Sequence, residues 1–152
     1  AFNTSEIVMA RQMYYLLSPQ DVALADRAFG TYVDLVLVKA RLADAVFRCH
    51  HSRKTDFKRG KRLSENDYLV TWYKPKTRPR HMSAIEFNCL PNSLIVRQVR
   101  FQVTESGFRT KEIIVVTTLL DEKMYTKQKI AQLYRWRWQV EIDLRISTFW
   151  WW

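Results

Sequence analysis

An α/β fold follows from three features of the chain. The apolar run Val22-Ala23-Leu24-Ala25, a helical stretch from Tyr32 to Ala43 and a second apolar run, Ala45-Val46-Phe47, stand in strand–helix–strand order, which implies a parallel pair. Residues from about 51 to 120 then read as antiparallel β, polar along much of one face. A last helical stretch follows Thr126 and extends to about Thr148.

The elements can be justified in order. Ser5-Glu6 opens a helix carrying Ile7, Val8, Arg11, Met13 and Leu16-Leu17, and Pro19 stops it. Val22–Ala25 reads as a buried strand ending at Asp26, and Gly30-Thr31 breaks the chain and caps the next helix. That helix sets Tyr32, Val33, Val36, Leu37 and Ala40 on one side. Ala45–Phe47 reads as a second buried strand, and Tyr68–Tyr73 as the next. Ser83-Ala84-Ile85-Glu86 has the spacing of a capping box before a short helix. Leu94–Val103 partly alternates, Glu105-Ser106-Gly107 makes a turn and Lys111–Leu120 is a further strand.

Composition excludes several classes. The 152 residues suit one domain of ordinary size, and a 47% apolar fraction is too high for a wholly disordered chain. With 3 Gly and 4 Pro, it is neither collagen-like nor a linker. The longest uncharged apolar candidate, Ile113–Leu120, falls well short of the ~18 residues of a membrane span. Two cysteines make a reducing compartment the default. Residue 1 is Ala with no leader pattern after it, so the chain reads as a piece of a longer one, and Phe149-Trp150-Trp151-Trp152 is an aberrant end.

The net charge is +10, and it is concentrated. Lys39, Arg41, Arg48, Arg53, Lys54, Lys58, Arg59, Lys61 and Arg62 meet only Asp44 and Asp56, leaving +7 in that stretch. Lys74, Lys76, Arg78 and Arg80 form a second group beside Tyr68, Trp72 and Tyr73, a mixture suited to phosphates and stacked bases. A polyanionic partner, nucleic acid before an anionic membrane, is the expectation. Arg53, Lys54, Lys58, Arg59, Lys61 and Arg62 are the candidate DNA contacts. Cys49, His50, His51, His81 and Cys89 fit no common zinc spacing, and no Gly-rich phosphate loop or Gly-x-Ser-x-Gly elbow is present.

On the last helix, Tyr134, Arg137, Glu141, Arg145 and Thr148 share one stripe at about 100° per residue. Leu133, Trp136, Val140 and Leu144 form an apolar stripe beside it, which makes Trp136 a core candidate. Arg137 and Glu141 are also spaced as an ordinary i, i+4 ion pair.

Tyr134-x2-Arg137-x3-Glu141 resembles the start of the Tyr-x2-Arg-x3-Glu-x6-Lys pattern of bacterial insertion-sequence transposases with a DDE catalytic triad. Leu24-Ala25-Asp26-Arg27-Ala28-Phe29 is similar to the segment carrying that family's second aspartate. The resemblance spans about Ser18 to Arg145 and implies a ribonuclease H-like core, incomplete because its early strands are missing, with a β-rich insertion before the Glu-bearing helix. The implied division is a partial core at 1–50, the basic insertion at 51–122, the catalytic helix at 123–148 and the tail at 149–152. It further implies Asp26 and Glu141 as ligands for Mg²⁺, with Mn²⁺ able to substitute, and Tyr134 and Arg137 as contacts near the cut phosphate. Arg137 and Arg145 would join the DNA contacts. The implied partners are double-stranded transposon ends and target, met by a homodimer in the bacterial cytoplasm at the nucleoid. The family's first aspartate has no counterpart before Asp26 except the too-near Asp21, and Thr148 stands where the pattern has Lys. Catalytic inactivity of this chain alone is therefore expected. A non-catalytic DNA-binding product that inhibits the full enzyme is the alternative, and a basic RNA- or DNA-binding α+β module a third.

Overall fold

The computed structural model describes residues 4–25, 31–49, 55, 57–104 and 110–144, leaving aside the side chains of 4–7, 10 and 137–144. Six strands form one sheet: β1 (Val22–Ala25), β2 (Asp44–Arg48), β3 (Lys61–Ser64), β4 (Asp67–Tyr73), β5 (Ser93–Val103) and β6 (Lys111–Thr117). Their spatial order is β1-β2-β6-β5-β4-β3. The helices are α1 (Thr4–Met13, continued by a 3₁₀ turn at Tyr14–Leu16), α2 (Tyr32–Ala40), α3 (Ala84–Cys89) and α4 (Lys127–Leu144).

The expected parallel pair is present, with Leu24 opposite Val46 across β1 and β2. Every other pairing is antiparallel. Because β6 lies between β2 and β5, the later strands are continuous with the strand–helix–strand unit. This mixed α/β architecture is compatible with a ribonuclease H-like domain.

Strand alternation separates two apolar layers. Ala45, Phe47, Val96 and Val116 face α2 with Leu35 and Val38. Val46, Val99, Phe101, Ile113 and Val115 face α4 with Ile130, Ala131 and Tyr134. Helices therefore cover both faces, the arrangement that lets β2 and β6 be apolar on both sides.

Four expectations are corrected. β1 is not buried: Val22 is exposed and Ala23–Ala25 are half-buried, since β1 ends the sheet and pairs only with β2 among the described strands. α2 stops at Ala40 rather than Ala43, because Leu42 takes a left-handed φ of 58° while its N–H donates back to the Lys39 carbonyl. Instead of one apolar side, α2 buries Tyr32, Val33, Asp34, Leu35, Val36 and Val38, while Ala40 is exposed.

The fourth correction concerns α4. Trp136 is 60% exposed and Tyr134 only 3%, so the sheet-facing stripe is Ile130-Ala131-Tyr134. Replacing Trp136 with alanine should change stability by no more than about 0.5 kcal/mol, the range of ordinary surface substitutions. A urea titration checks this; a loss of several kcal/mol would restore Trp136 to the core.

Asp34 is buried without an obvious sequence signal. Arg11 Nε lies 3.3 Å from its Oδ1, the Tyr14 hydroxyl donates to the same oxygen at 3.2 Å, and the Thr31 hydroxyl donates to Oδ2. Burial pushes the Asp34 carboxyl above the ordinary carboxylate range, against the opposing pull of Thr31, Arg11 and Tyr14. The Tyr14 phenol is pushed up by burial and by the charge of Asp34. The cluster fastens α1 to α2.

Candidate functional site

α4 begins where local chemistry places it. Asp121 Oδ1 accepts from the Lys123 and Met124 amides at 2.9 and 3.3 Å, shaping the turn before the helix. The Thr126 hydroxyl then accepts from the Lys129 amide at 3.2 Å, as an N-cap does. No Gly or Pro interrupts the residues that follow to Leu144.

The helix lies across the sheet and contacts β5, β2 and β1. Over β5, the Tyr134 ring meets Phe101 edge-on, with centroids 6.2 Å apart, and Arg135 Nη2 donates to the Gln102 carbonyl at 3.4 Å. On β1, Leu24 packs against the same cluster as Tyr134. The structure thus brings together Tyr134, Leu24 and the strand whose next residue in sequence is Asp26. Asp26 itself lies outside the described residues. Glu141 lies within α4, two helical turns after Tyr134, but its side chain and that of Arg137 are outside the description. At 3.6 residues per turn the stripe Ile130–Tyr134 continues through position 141.

The described basic candidates lie far from β1. β3, carrying Lys61 and Arg62, occupies the opposite edge of the sheet from β1, five strand spacings or about 24 Å away. Lys61 and Arg62 are exposed, as are Lys58 and Arg59 just before them. Arg53, Lys54 and Arg145 lie outside the described residues.

The second basic group divides. Lys74 donates to the carbonyls of Phe87 and Leu90 at 3.2 and 3.3 Å, holding the end of α3, and Arg78 donates to the Met82 carbonyl at 3.0 Å. Lys76 and Arg80 are exposed. Of the neighbouring aromatics, Trp72 is core, Tyr68 stacks edge-on with Phe57 and Tyr73 is 72% exposed, so only Tyr73 is openly presented for stacking.

Sequence reading missed β3 and the buried pair of Arg97 and Asp67. Arg97 Nε and Nη2 donate to the two carboxylate oxygens of Asp67 at 2.7 and 2.6 Å, with neither side chain more than 2% exposed. Asp67 directly follows a Glu65-Asn66 turn, but nothing in the local sequence marks Arg97 as its partner.

Among the described residues no group of three or more His, Cys, Asp or Glu is placed to hold a metal ion, and no helix is long and apolar enough to cross a membrane. Cys49 is buried and Cys89 exposed, neither in a disulfide among the described residues, and His81 is exposed. A search of curated proteins finds no match to the chain. The family model described as Transposase DDE domain matches residues 3–151, nearly the whole chain. The chain therefore belongs to the DDE transposase family, whose chemistry is phosphoryl transfer on DNA in transposition.

Proposed function

We propose that Asp26 and Glu141 hold the divalent cations with which this domain cuts DNA strands and joins them to a target. One observation carries the reading: α4, which bears Glu141, packs on β1, the strand that leads directly into Asp26. Leu24, two residues before Asp26 in sequence, packs with the α4 layer.

The donor set suits the group. Carboxylate oxygens are the ligands Mg²⁺ prefers, and Mn²⁺ accepts the same hard donors. When bound, such cations activate the attacking oxygen and neutralise charge on the leaving one. The protein's part is to orient the DNA. The Arg137 guanidinium is the proposed donor to phosphate oxygens near the cut, where charge-assisted hydrogen bonds are strongest, while Tyr134, 3% exposed against Phe101, packs α4 onto the sheet instead of reaching phosphate. Arg145 is a further proposed phosphate contact.

Arg53, Lys54, Lys58, Arg59, Lys61 and Arg62 are the proposed contacts to duplex DNA away from the cut. Changing all six to Gln should weaken binding of an arbitrary duplex and flatten its salt dependence, since each phosphate neutralised contributes about 0.9 to the slope. Fluorescence anisotropy across a KCl series reads this, and an unchanged slope would remove these residues from the interface.

The rest of the proposal follows the family pattern. The chain divides at 1–50, 51–122 and 123–148, ahead of the tail at 149–152. The complete protein works as a homodimer on transposon ends in the bacterial cytoplasm, close to the nucleoid. The 152-residue chain supplies two of three carboxylates, with Thr148 at the Lys position, and is expected to bind DNA without nicking it. A strand-cleavage assay on the transposase that contains this domain tests the catalytic reading, using Asp26→Asn and Glu141→Gln.

A further inference from the structure

Arg97 has no exposed side-chain surface, and its partners lie on two sides. Nε and Nη2 engage Asp67 of β4. Nη1 donates to the Leu119 carbonyl at 3.3 Å and also to the Tyr125 carbonyl, the two ends of the segment that leads β6 into α4. A second cation acts nearby: Lys127, the first residue of α4, donates from Nζ to the Glu65 carbonyl at 2.7 Å. The start of α4 is thus tied twice to the β3–β5 part of the sheet.

Stability alone is a weak reason for such a pair, because well-packed apolar residues often replace a buried ion pair without loss. What apolar side chains cannot supply is a donor to the two carbonyls. We propose that Arg97 and Asp67 are positioning residues that fix the angle of α4 and hence the place of the Glu141 carboxylate, an inference that rests on the reading of Glu141 as a cation ligand. The lever is long. Glu141 lies 16 residues after Tyr125, about 24 Å at 1.5 Å per residue. A tilt of about 2.4° at the start would move position 141 by about 1 Å, a displacement that can lower a reaction rate about 10²-fold. Asp67, held on β4 by pairing with Val99, locks the guanidinium plane through two bonds, leaving Nη1 to the carbonyls.

The test uses the 152-residue chain, two variants and two readouts. Arg97→Met with Asp67→Leu removes both charges and is expected to keep the thermal midpoint near native. Arg97→Lys keeps the charge but not the fork. Nitroxides at Trp136→Cys and Thr71→Cys, both exposed sites, are placed in a Cys89→Ser background, and their distance distribution is measured by pulsed electron resonance. Mn²⁺ alone is the ligand probe. Both variants should broaden the distribution and weaken Mn²⁺ binding about tenfold, the lower end of what losing a residue that orients a metal ligand costs. A native-width distribution in both variants, or native Mn²⁺ affinity in both, overturns the proposal. If the native chain takes up no Mn²⁺, the cation-site reading fails instead, and the distance distribution then decides the clamp on α4 by itself.

Discussion

Replacing Asp67 with alanine is expected to cost about 3–5 kcal/mol, the usual loss when one partner of a buried ion pair is removed. Arg97 would keep its charge in a fully buried position, with Nε and Nη2 stripped of their acceptors. Water cannot reach the guanidinium without opening the sheet–α4 layer. A domain with ordinary stability of about 5–15 kcal/mol would lose a large share of it. The contrast is Lys39 with Asp44, a 3.2 Å pair whose lysine is 43% exposed. Lys39→Ala should cost no more than about 1 kcal/mol. Urea denaturation of both variants gives the comparison, and similar losses would mean that the Arg97 site hydrates or repacks.

The second large effect is on chemistry. In the transposase that contains this domain, Asp26→Asn or Glu141→Gln should lower strand cleavage by at least about 10²-fold, since a neutral amide neither balances a divalent cation nor holds it within about 1 Å. DNA binding should hold or improve slightly, because each change removes a negative charge facing phosphate. Arg137→Ala should give the same split, losing cleavage with folding intact. Cleavage at the native rate in either carboxylate variant, with Mg²⁺ present, would take that residue out of the site.

What the sequence made legible is what local chemistry decides. The capping box before α3 forms as spaced, with the Ser83 amide donating to Glu86 Oε2 at 3.0 Å and the Glu86 amide to Ser83 Oγ at 3.1 Å. The order of apolar runs around α2 was enough for the parallel pair, because a right-handed crossover leaves little else for strand–helix–strand. The end of α2 was not legible, since Leu42 adopts a conformation that its side chain disfavours. β3 was hidden because Lys61, Arg62 and Ser64 show no apolar alternation; the strand is held by backbone pairing to β4 around a bulge, and charge suits an exposed edge. Just before it, a Cβ on Gly60 would come within 2.1 Å of the Leu69 carbonyl oxygen, so the close approach of β4 requires glycine there.

The site divides in the same way. Spacing placed Tyr134, Arg137 and Glu141 on one stripe, but hydropathy put Trp136 in the core and left Tyr134 outside it. The sheet decided otherwise: Phe101 and Val46 offer a layer into which Ile130, Ala131 and Tyr134 fit, turning Trp136 to solvent. Arg97 stands in a stretch that alternates only partly, and no local feature marks it for burial. Its acceptors stand 22–30 residues away in the chain, beyond any local pattern.

Iron(II) bound in place of the native cation, with ascorbate and peroxide, cuts a polypeptide beside its metal ligands. Fragments of the 152-residue chain identified by mass spectrometry should end next to Asp26 and Glu141, with both cuts suppressed by excess Mg²⁺ and lost in the Asp26→Asn, Glu141→Gln double variant. Cuts confined to other carboxylates such as Glu65 and Glu112, or undiminished cuts in the double variant, would contradict a cation site shared between the end of β1 and α4.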